Sequence, residues 1–150
     1  MADIKNKEAR SQNMAAIKSK NTKPEQFIRH ELFMRGFRYR NNVSYIPGHP
    51  DLYLAKYRTA VFINGCFWHR HRNCKYAYMP KSNVSFWNTK FKANMKRDKL
   101  VRSQLLDQNI KCLDIWECSI KKAARYSENR DDLFKSIIDF LKDTRSYLEL

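Results

Sequence analysis

The sequence predicts an α/β fold in which helices flank a mixed β-sheet. An amphipathic helical pattern comes first, short β-branched and aromatic runs fill the middle, and two more helical patterns follow with a strand between them. The chain has 150 residues, of which 43% are hydrophobic, and only three Gly and four Pro. That is enough for one core and leaves no flexible linker, so we expect a single domain spanning residues 1–150.

Residues 1 to about 20 are basic and polar, and we expect them to form an arm or a short helix outside the core. Their only apolar cluster runs from Met14 to Ile17. Met14 is an unbranched apolar side chain among Lys and Arg. It either fills a gap in ordinary packing or wedges between the bases of a nucleic acid.

The first helix should begin at the segment Thr22 to Glu25, which has the pattern of a capping box. The Thr22 hydroxyl can cap the third amide while the Glu25 carboxylate reaches back, and a proline is tolerated in the first turn. Gly36 is placed to end the helix. The expected apolar stripe consists of Phe27, Ile28, Leu32 and Phe33.

Runs of β-branched and aromatic residues predict the strands of the sheet. The run from Thr59 to Ile63 is apolar nearly throughout, as expected for a central strand buried on both faces. Residues 65–82 have no periodicity, so we expect an irregular segment. The other predicted strands cover residues 37–41, 43–46, 51–54 and 111–117.

The longest helical pattern runs from about residue 84 to residue 109, with Asn83 as a candidate cap. A second pattern, residues 131–142, closes the domain. The long helix is strongly basic. Its expected apolar positions are Phe91, Met95, Leu100, Leu105 and Leu106.

The charge balance favours nucleic acid as the partner. Thirty Lys and Arg against fifteen Asp and Glu leave +15, which attracts a polyanion. An acidic protein, an anionic membrane or a merely solubilising surface remain alternatives. With no signal-peptide pattern and no run of about 18 apolar residues, we expect a cytoplasmic protein without a membrane partner.

Four cysteines in a reducing compartment are more typical of metal ligands or core thiols than of disulfides. Three thiolates and an imidazole would suit a structural zinc ion. On spacing alone His69 can replace His71, Cys112 is a spare thiol, and unliganded core cysteines remain an alternative. The candidate ligands are Cys66, His71, Cys74 and Cys118.

Pro50-Asp51 at the start of a strand resembles half of the Pro-Asp…(Asp/Glu)-x-Lys pattern of metal-dependent nucleases. The second half is missing, because Ile63 and Gly65 stand where the acid and the lysine belong. His69 follows the next strand and could accept a proton from an attacking water if it folds back over Asp51.

Two aromatic pairs lie in basic surroundings, Phe67-Trp68 and Phe86-Trp87. Such rings are either core anchors or, in a cationic protein, groups that stack on or insert between bases. The sequence alone leaves both interpretations open.

Several blocks together resemble the very short patch repair endonucleases in order and spacing over roughly residues 5–118. The blocks are NKEARSQNMAAIKSKNTKPE, IPGHPDLYL, VFINGCFWHRHRNC, FWNTKFKANMKRD and IWEC. The resemblance implies a restriction-endonuclease-like α/β sandwich with a structural Zn²⁺ and a catalytic Mg²⁺. It also implies a bacterial-type cytoplasmic enzyme, acting at the nucleoid, that nicks DNA 5′ to the thymine of a T:G mismatch.

The resemblance also implies roles for individual residues. Asp51 and the backbone carbonyl of Ile63 would bind Mg²⁺, His69 would activate the water, and Glu25 would be a nearby acid. Cys66, His71, Cys74 and Cys118 would bind Zn²⁺. The DNA-inserting wedge would be formed by Phe67, Trp68 and Trp87, with Met14 inserted from the opposite groove.

Two positions depart from the family pattern at the site. Ile63-Asn64 replaces Thr-His, so Asn64 can hydrogen-bond a phosphate oxygen but carries no charge. Ile63 can still offer its carbonyl. Arg70, in a segment that is richer in histidine in the family, is a candidate source of the missing charge.

The leading hypothesis is therefore an endonuclease acting as a monomer on double-stranded DNA with a T:G mismatch, with other mismatch-repair proteins as candidate partners. A restriction-type or homing-type nuclease with another target is the rival within the same class. A non-catalytic DNA-binding module is the rival from another class. A zinc-stabilised RNA-binding protein is disfavoured because no RNA-binding motif is present.

Overall fold

The structure is a computed structural model that describes residues 21–150, so the predicted arm and Met14 lie outside the described residues. A five-stranded mixed sheet forms the centre, with helices on both faces. The helices are α1 Lys23–Met34, α2 Val84–Asp107, α3 Glu117–Arg125 and α4 Ser127–Lys142. The strands are β1 Arg40–Asn41, β2 Leu52–Leu54, β3 Thr59–Asn64, β4 Lys111–Trp116 and β5 Tyr147–Glu149.

The strand order in the sheet is the order along the chain, β1-β2-β3-β4-β5. The first three strands pair antiparallel, and β4 and β5 then join in parallel. The crossover from β3 to β4 runs through the irregular segment and α2. The predicted α/β sandwich around a mixed sheet is confirmed.

Alternation along the strands divides the core into two clusters. Leu52, Val61 and Leu113 pack in the larger cluster, with apolar residues of α1, α3 and α4 such as Ile28. The intervening residues face the other way, into a smaller cluster that includes Leu105 of α2. Because the central strands are covered on both faces, their apolar run predicted them correctly.

The termini of α1 match the sequence prediction closely. Thr22 Oγ1 accepts a hydrogen bond from the Glu25 amide at 3.4 Å. The Glu25 carboxylate reaches back one residue further than expected, to the Asn21 amide at 2.8 Å. Gly36, at φ +90°, ends the helix in a Schellman motif in which the Phe37 amide bonds to the Leu32 carbonyl.

Two predicted features near the strands are wrong. Residues 43–46 form turns, because Asn42 is left-handed at φ +48° and ends β1. Val43 and Ile46 are apolar residues that pack in the smaller cluster, although they do not lie in a strand. Asn83 precedes α2 but is itself left-handed, and its side chain makes no capping hydrogen bond.

Two elements were not predicted, α3 and β5, and α4 begins four residues before its predicted start. Helix α3 follows β4 without a turn residue or a side-chain cap, so it has no start signal. Strand β5 is only three residues long. Neither contradicts the fold class, since both extend the predicted layers.

Helix α2 is more exposed than its pattern predicts. Only Phe91 and Leu105 are buried, whereas Met95, Leu100 and Leu106 are exposed, as is Phe33 on α1. The helix therefore presents a wide basic surface over the sheet. No helix within residues 21–150 has the length and apolar character needed to cross a membrane.

Candidate active site and metal centre

Asp51 lies just before β2, beside the end of β3. Its Oδ2 accepts a hydrogen bond from the Ile63 amide at 2.7 Å. The pKa of Asp51 is raised to about 6, mainly by burial; the Ile63 amide opposes this shift and the nearby Glu25 carboxylate adds to it. A partly buried carboxylate with a raised pKa in a groove is typical of a functional site.

The groove around Asp51 lies between the start of α1, the start of β2, the end of β3 and the loop after β3. Glu25 is held there by Arg29, whose guanidinium lies 3.1 Å from the carboxylate. Glu25 therefore bonds to a backbone amide before α1 and also lines the groove, so the two positions predicted for it are compatible. The groove is lined by Thr22, Pro24, Glu25, Gly48, His49, Asp51, Phe62, Ile63, Asn64, Gly65, Trp68, His69 and Glu117.

His69 is fixed on two sides. Its amide donates to the Gly65 carbonyl at 3.1 Å, and its Nδ1 lies 2.7 Å from Asp98 Oδ2 on α2. An imidazole held through one nitrogen presents the other to a substrate. The structure therefore brings His69 to the same groove as Asp51.

Asp98 was not singled out in the sequence. The available signal was its rarity, because Asp98 and Asp107 are the only acidic residues in the 24 residues of α2. Asn94, one turn earlier on the same face, donates from Nδ2 to the Trp68 carbonyl at 3.1 Å. Helix α2 therefore positions the loop after β3 at two adjacent points.

Four side chains form a candidate metal centre. The ligand atoms of Cys66, His71, Cys74 and Cys118 all lie within 4.8 Å of one another, and Cys118 Sγ is 3.4 Å from His71 Nδ1. Three sulfurs and one imidazole are a donor set that zinc prefers. The residues therefore fit a tetrahedrally coordinated metal ion, which would cross-link the irregular loop to the first turn of α3.

Burial has opposite consequences for two ligands of the cluster. Burial lowers the pKa of His71, which keeps the imidazole neutral, and its ring stacks on Trp116 with 4.2 Å between centroids. Burial raises the pKa of Cys66 to about 12, so a cation would be needed to stabilise its thiolate. Cys112 is buried on β4 outside the cluster, as predicted for the spare thiol.

The three predicted wedge residues are in mutual contact. Phe67 lies at the centre, with its ring centroid 5.2 Å from Trp68 and 5.4 Å from Trp87. Trp68 and Trp87 are 5.8 Å apart. All three are half-buried, whereas two aromatic residues at the margin of the cluster, Tyr78 and Phe86, are exposed.

Arg70 lies outside the groove. Its guanidinium donates to the carbonyl oxygens of Phe67, Ala77 and Tyr78 and lies over the Phe91 ring at 4.0 Å. Arg70 is not among the residues that line the groove, so any compensation for Asn64 would come from its charge alone and not from direct contact with a phosphate. Asn64 itself lines the groove and is largely buried.

A carboxylate and a held histidine in one groove, on a basic α/β protein, match the class of restriction-endonuclease-like DNA endonucleases that the sequence blocks resemble. Comparison with known proteins agrees with that class. A family model described as DNA mismatch endonuclease Vsr matches residues 2–75.

The curated relatives extend over most of the chain. The type II nicking enzyme V.NmeAIP of Neisseria meningitidis serogroup A is 42% identical over 139 residues, which cover 93% of this chain and 99% of the relative. The DNA mismatch endonuclease Vsr of Escherichia coli is 35% identical over 121 residues, 81% of this chain and 77% of the relative. The chain therefore belongs to the Vsr family of DNA mismatch endonucleases.

Proposed function

We propose that this endonuclease nicks one strand of double-stranded DNA on the 5′ side of the thymine of a T:G mismatch, and so begins very short patch mismatch repair. The main support is that Asp51 and His69 share one groove beside an aromatic cluster, with His69 held through Nδ1 by Asp98. A relative at 35% identity is named a DNA mismatch endonuclease, and the relative at 42% identity is named a nicking enzyme.

Asp51, together with the backbone carbonyl of Ile63, would hold the catalytic Mg²⁺. The hard carboxylate oxygen suits this ion, and the Asp51–Ile63 hydrogen bond holds the side chain against the end of β3. When bound, Mg²⁺ would supply Lewis-acid polarisation of the phosphate and neutralise developing charge. The cluster of Cys66, His71, Cys74 and Cys118 would hold a structural Zn²⁺.

His69 would accept the proton of the attacking water through Nε2, since Asp98 engages Nδ1. Asp98 also stabilises the imidazolium that results. Asn64 lines the same groove and would donate a hydrogen bond to a phosphate oxygen. Glu25, held by Arg29 within the groove, keeps a second acidic group near Asp51.

Recognition of the mismatch would depend on the aromatic wedge of Phe67, Trp68 and Trp87. A mispaired step costs less to unstack than a matched one, so rings that insert between bases favour the mismatch. Met14, which lies outside the described residues, would insert from the opposite groove.

The excess of Lys and Arg would bind the phosphates of the DNA. We also propose that the chain acts as a single-domain monomer, with repair proteins as further partners.

A strand-nicking assay tests the proposal. Duplexes that differ only in a T:G or a T:A pair are incubated with the protein, with Mg²⁺ or with EDTA, at several salt concentrations. We expect Mg²⁺-dependent nicking of the T:G duplex next to the thymine. Equal nicking of both duplexes would favour a restriction-type or homing-type nuclease with another target. Binding without nicking of any duplex would favour a non-catalytic DNA-binding module.

A further inference from the structure

Tyr78 stands at the margin of the aromatic cluster in an unusual state. Its side chain is 63% exposed, yet its ring centroid lies only 5.1 Å from that of Phe67. One side of the ring is therefore packed while the rest faces solvent. An exposed aromatic ring held in this way offers a surface on which a base can stack.

The segment that carries Tyr78 is held by Arg70. Arg70 Nη2 donates to the Ala77 carbonyl at 2.8 Å, and Nη1 donates to the Tyr78 and Phe67 carbonyls at 3.1 and 3.3 Å. The guanidinium thus connects both sides of the Phe67–Tyr78 contact. Only a planar group with several donors can make these bonds at once, and a lysine ammonium cannot reproduce the geometry.

Arg70 is also fixed from behind. Its guanidinium carbon lies 4.0 Å from the centroid of Phe91, a buried ring of α2, and 5.7 Å from Phe67. Phe67 and Phe91 themselves meet edge to face at 5.2 Å. Ordering a long charged side chain costs entropy. The contacts of Arg70 with the two rings offset this cost, and Arg70 in turn holds the Tyr78 segment in one conformation.

We propose that Tyr78 is a fourth aromatic residue of the DNA-inserting wedge and that Arg70 is the positioning residue that holds it against Phe67. This inference rests on the proposed wedge of Phe67, Trp68 and Trp87. It names the ligand of Tyr78 as a nucleobase unstacked beside the mispair. Because Tyr78 presents a free ring face, it stacks on a base without discriminating its identity.

The test uses a T:G duplex with 2-aminopurine beside the mispair, and the full chain in EDTA so that no strand is cut. Unmutated protein should raise the fluorescence as the base unstacks. Tyr78→Ala should weaken binding of the T:G duplex about tenfold and reduce the fluorescence rise, whereas Tyr78→Phe keeps the ring and should stay within about twofold of the unmutated protein.

Tyr45→Ala is the matched control, because Tyr45 is 65% exposed but belongs to the 43–46 turns and not to the loop after β3 that carries Phe67, Trp68 and Tyr78. It should leave the fluorescence rise unchanged. Arg70→Lys should weaken T:G binding in the same direction as Tyr78→Ala, and the double variant should bind about as Tyr78→Ala alone does. Metal content and melting temperature of each variant confirm that the loop has folded.

The outcomes separate this inference from the proposed function. If the unmutated protein raises the fluorescence and Tyr78→Ala raises it equally, Tyr78 is outside the wedge and only this inference fails. Equal weakening of T:G and T:A binding also overturns it, because Tyr78 would then be a general DNA contact. If the unmutated protein causes no rise with the T:G duplex, the proposed wedge is absent and this inference fails with it, whereas the nicking assay still decides the proposed function.

Discussion

His69 and Asp98 are 29 residues apart in the sequence, and their side chains meet at 2.7 Å between Nδ1 and Oδ2. The first lies on the loop after β3, and the second lies in the middle of α2. Both side chains are about one-third exposed, so the pair stands at the surface and not in the core. The pair fixes the direction in which the free ring nitrogen points.

Asp98→Asn should therefore lower the nicking rate while DNA binding in EDTA is retained. General-base catalysis contributes about 10²- to 10⁴-fold, and misdirecting the base should lose about tenfold or more of it. Asp139→Asn is the control, since it removes a carboxylate paired with Lys135 on the exposed face of α4. Rates of single-turnover nicking measure both, and an unchanged rate for Asp98→Asn would show that His69 needs no partner.

The raised pKa of Asp51 predicts a pH-dependent stability. The folded carboxyl has a pKa of about 6 against an ordinary value of 3.8, so the folded state binds the proton more tightly than the unfolded chain does. The contribution of this carboxyl to the free energy of unfolding is largest below about pH 4. It falls as the pH rises to about 6 and stays lower above that value, by on the order of 3 kcal/mol.

Asp51→Asn should therefore melt at a higher temperature than the unmutated protein at pH 7.5 in EDTA, by about 5 °C or more, and should lose nicking. The amide oxygen can still accept the Ile63 hydrogen bond. Asp132→Asn, at an exposed position on α4, should not change the melting temperature in this way. A lower melting temperature for Asp51→Asn at pH 7.5 would contradict the claim that the buried carboxylate destabilises the folded state.

Loss of one cluster ligand should remove the structural metal. Cys118→Ser should bind less than one equivalent of zinc by elemental analysis and melt at a lower temperature, because metal binding is coupled to folding of the loop. Nicking should fall as well, since the same loop carries His69 and the wedge residues Phe67 and Trp68.

Cys112→Ser is the matched control for the metal centre. Cys112 is as buried as Cys66 but lies on β4, outside the cluster, so this variant should keep its zinc. Full zinc content in Cys118→Ser would show that Cys118 is not a ligand. Full nicking after complete zinc removal would show that the cluster and the active site are not coupled.

Asn64→Ala should lower nicking about 10- to 100-fold, the worth of a hydrogen bond to a charged phosphate. Asn64→His should do the opposite and raise the rate at pH values where the imidazole is protonated, because it adds the charge that the Vsr-like pattern has there. Single-turnover rates between pH 5.5 and 8 at saturating DNA would measure both. A rate independent of the side chain at position 64 would mean that Asn64 does not contact the phosphate.

Short-range patterns predicted much of this molecule. The Thr22 cap, the Gly36 terminus and the buried strands β2 and β3 follow from interactions within a few residues or from hydrophobicity along one strand. The four cluster ligands were the residue types that a metal requires, and Asp51 stood out at the start of a strand. These features are local, so the sequence determines them without knowledge of the packing.

Packing over longer distances decided the rest. Helix α2 crosses the sheet so that Asp98 meets His69, and the return of the loop brings Tyr78 to Phe67 and Arg70 to both. No periodicity encodes such contacts, because they depend on how two elements lie against each other. The sequence by itself determined the chemical groups of the site; the tertiary structure decided which partner holds each of them, since a hydrogen bond requires positions accurate to a few tenths of an ångström.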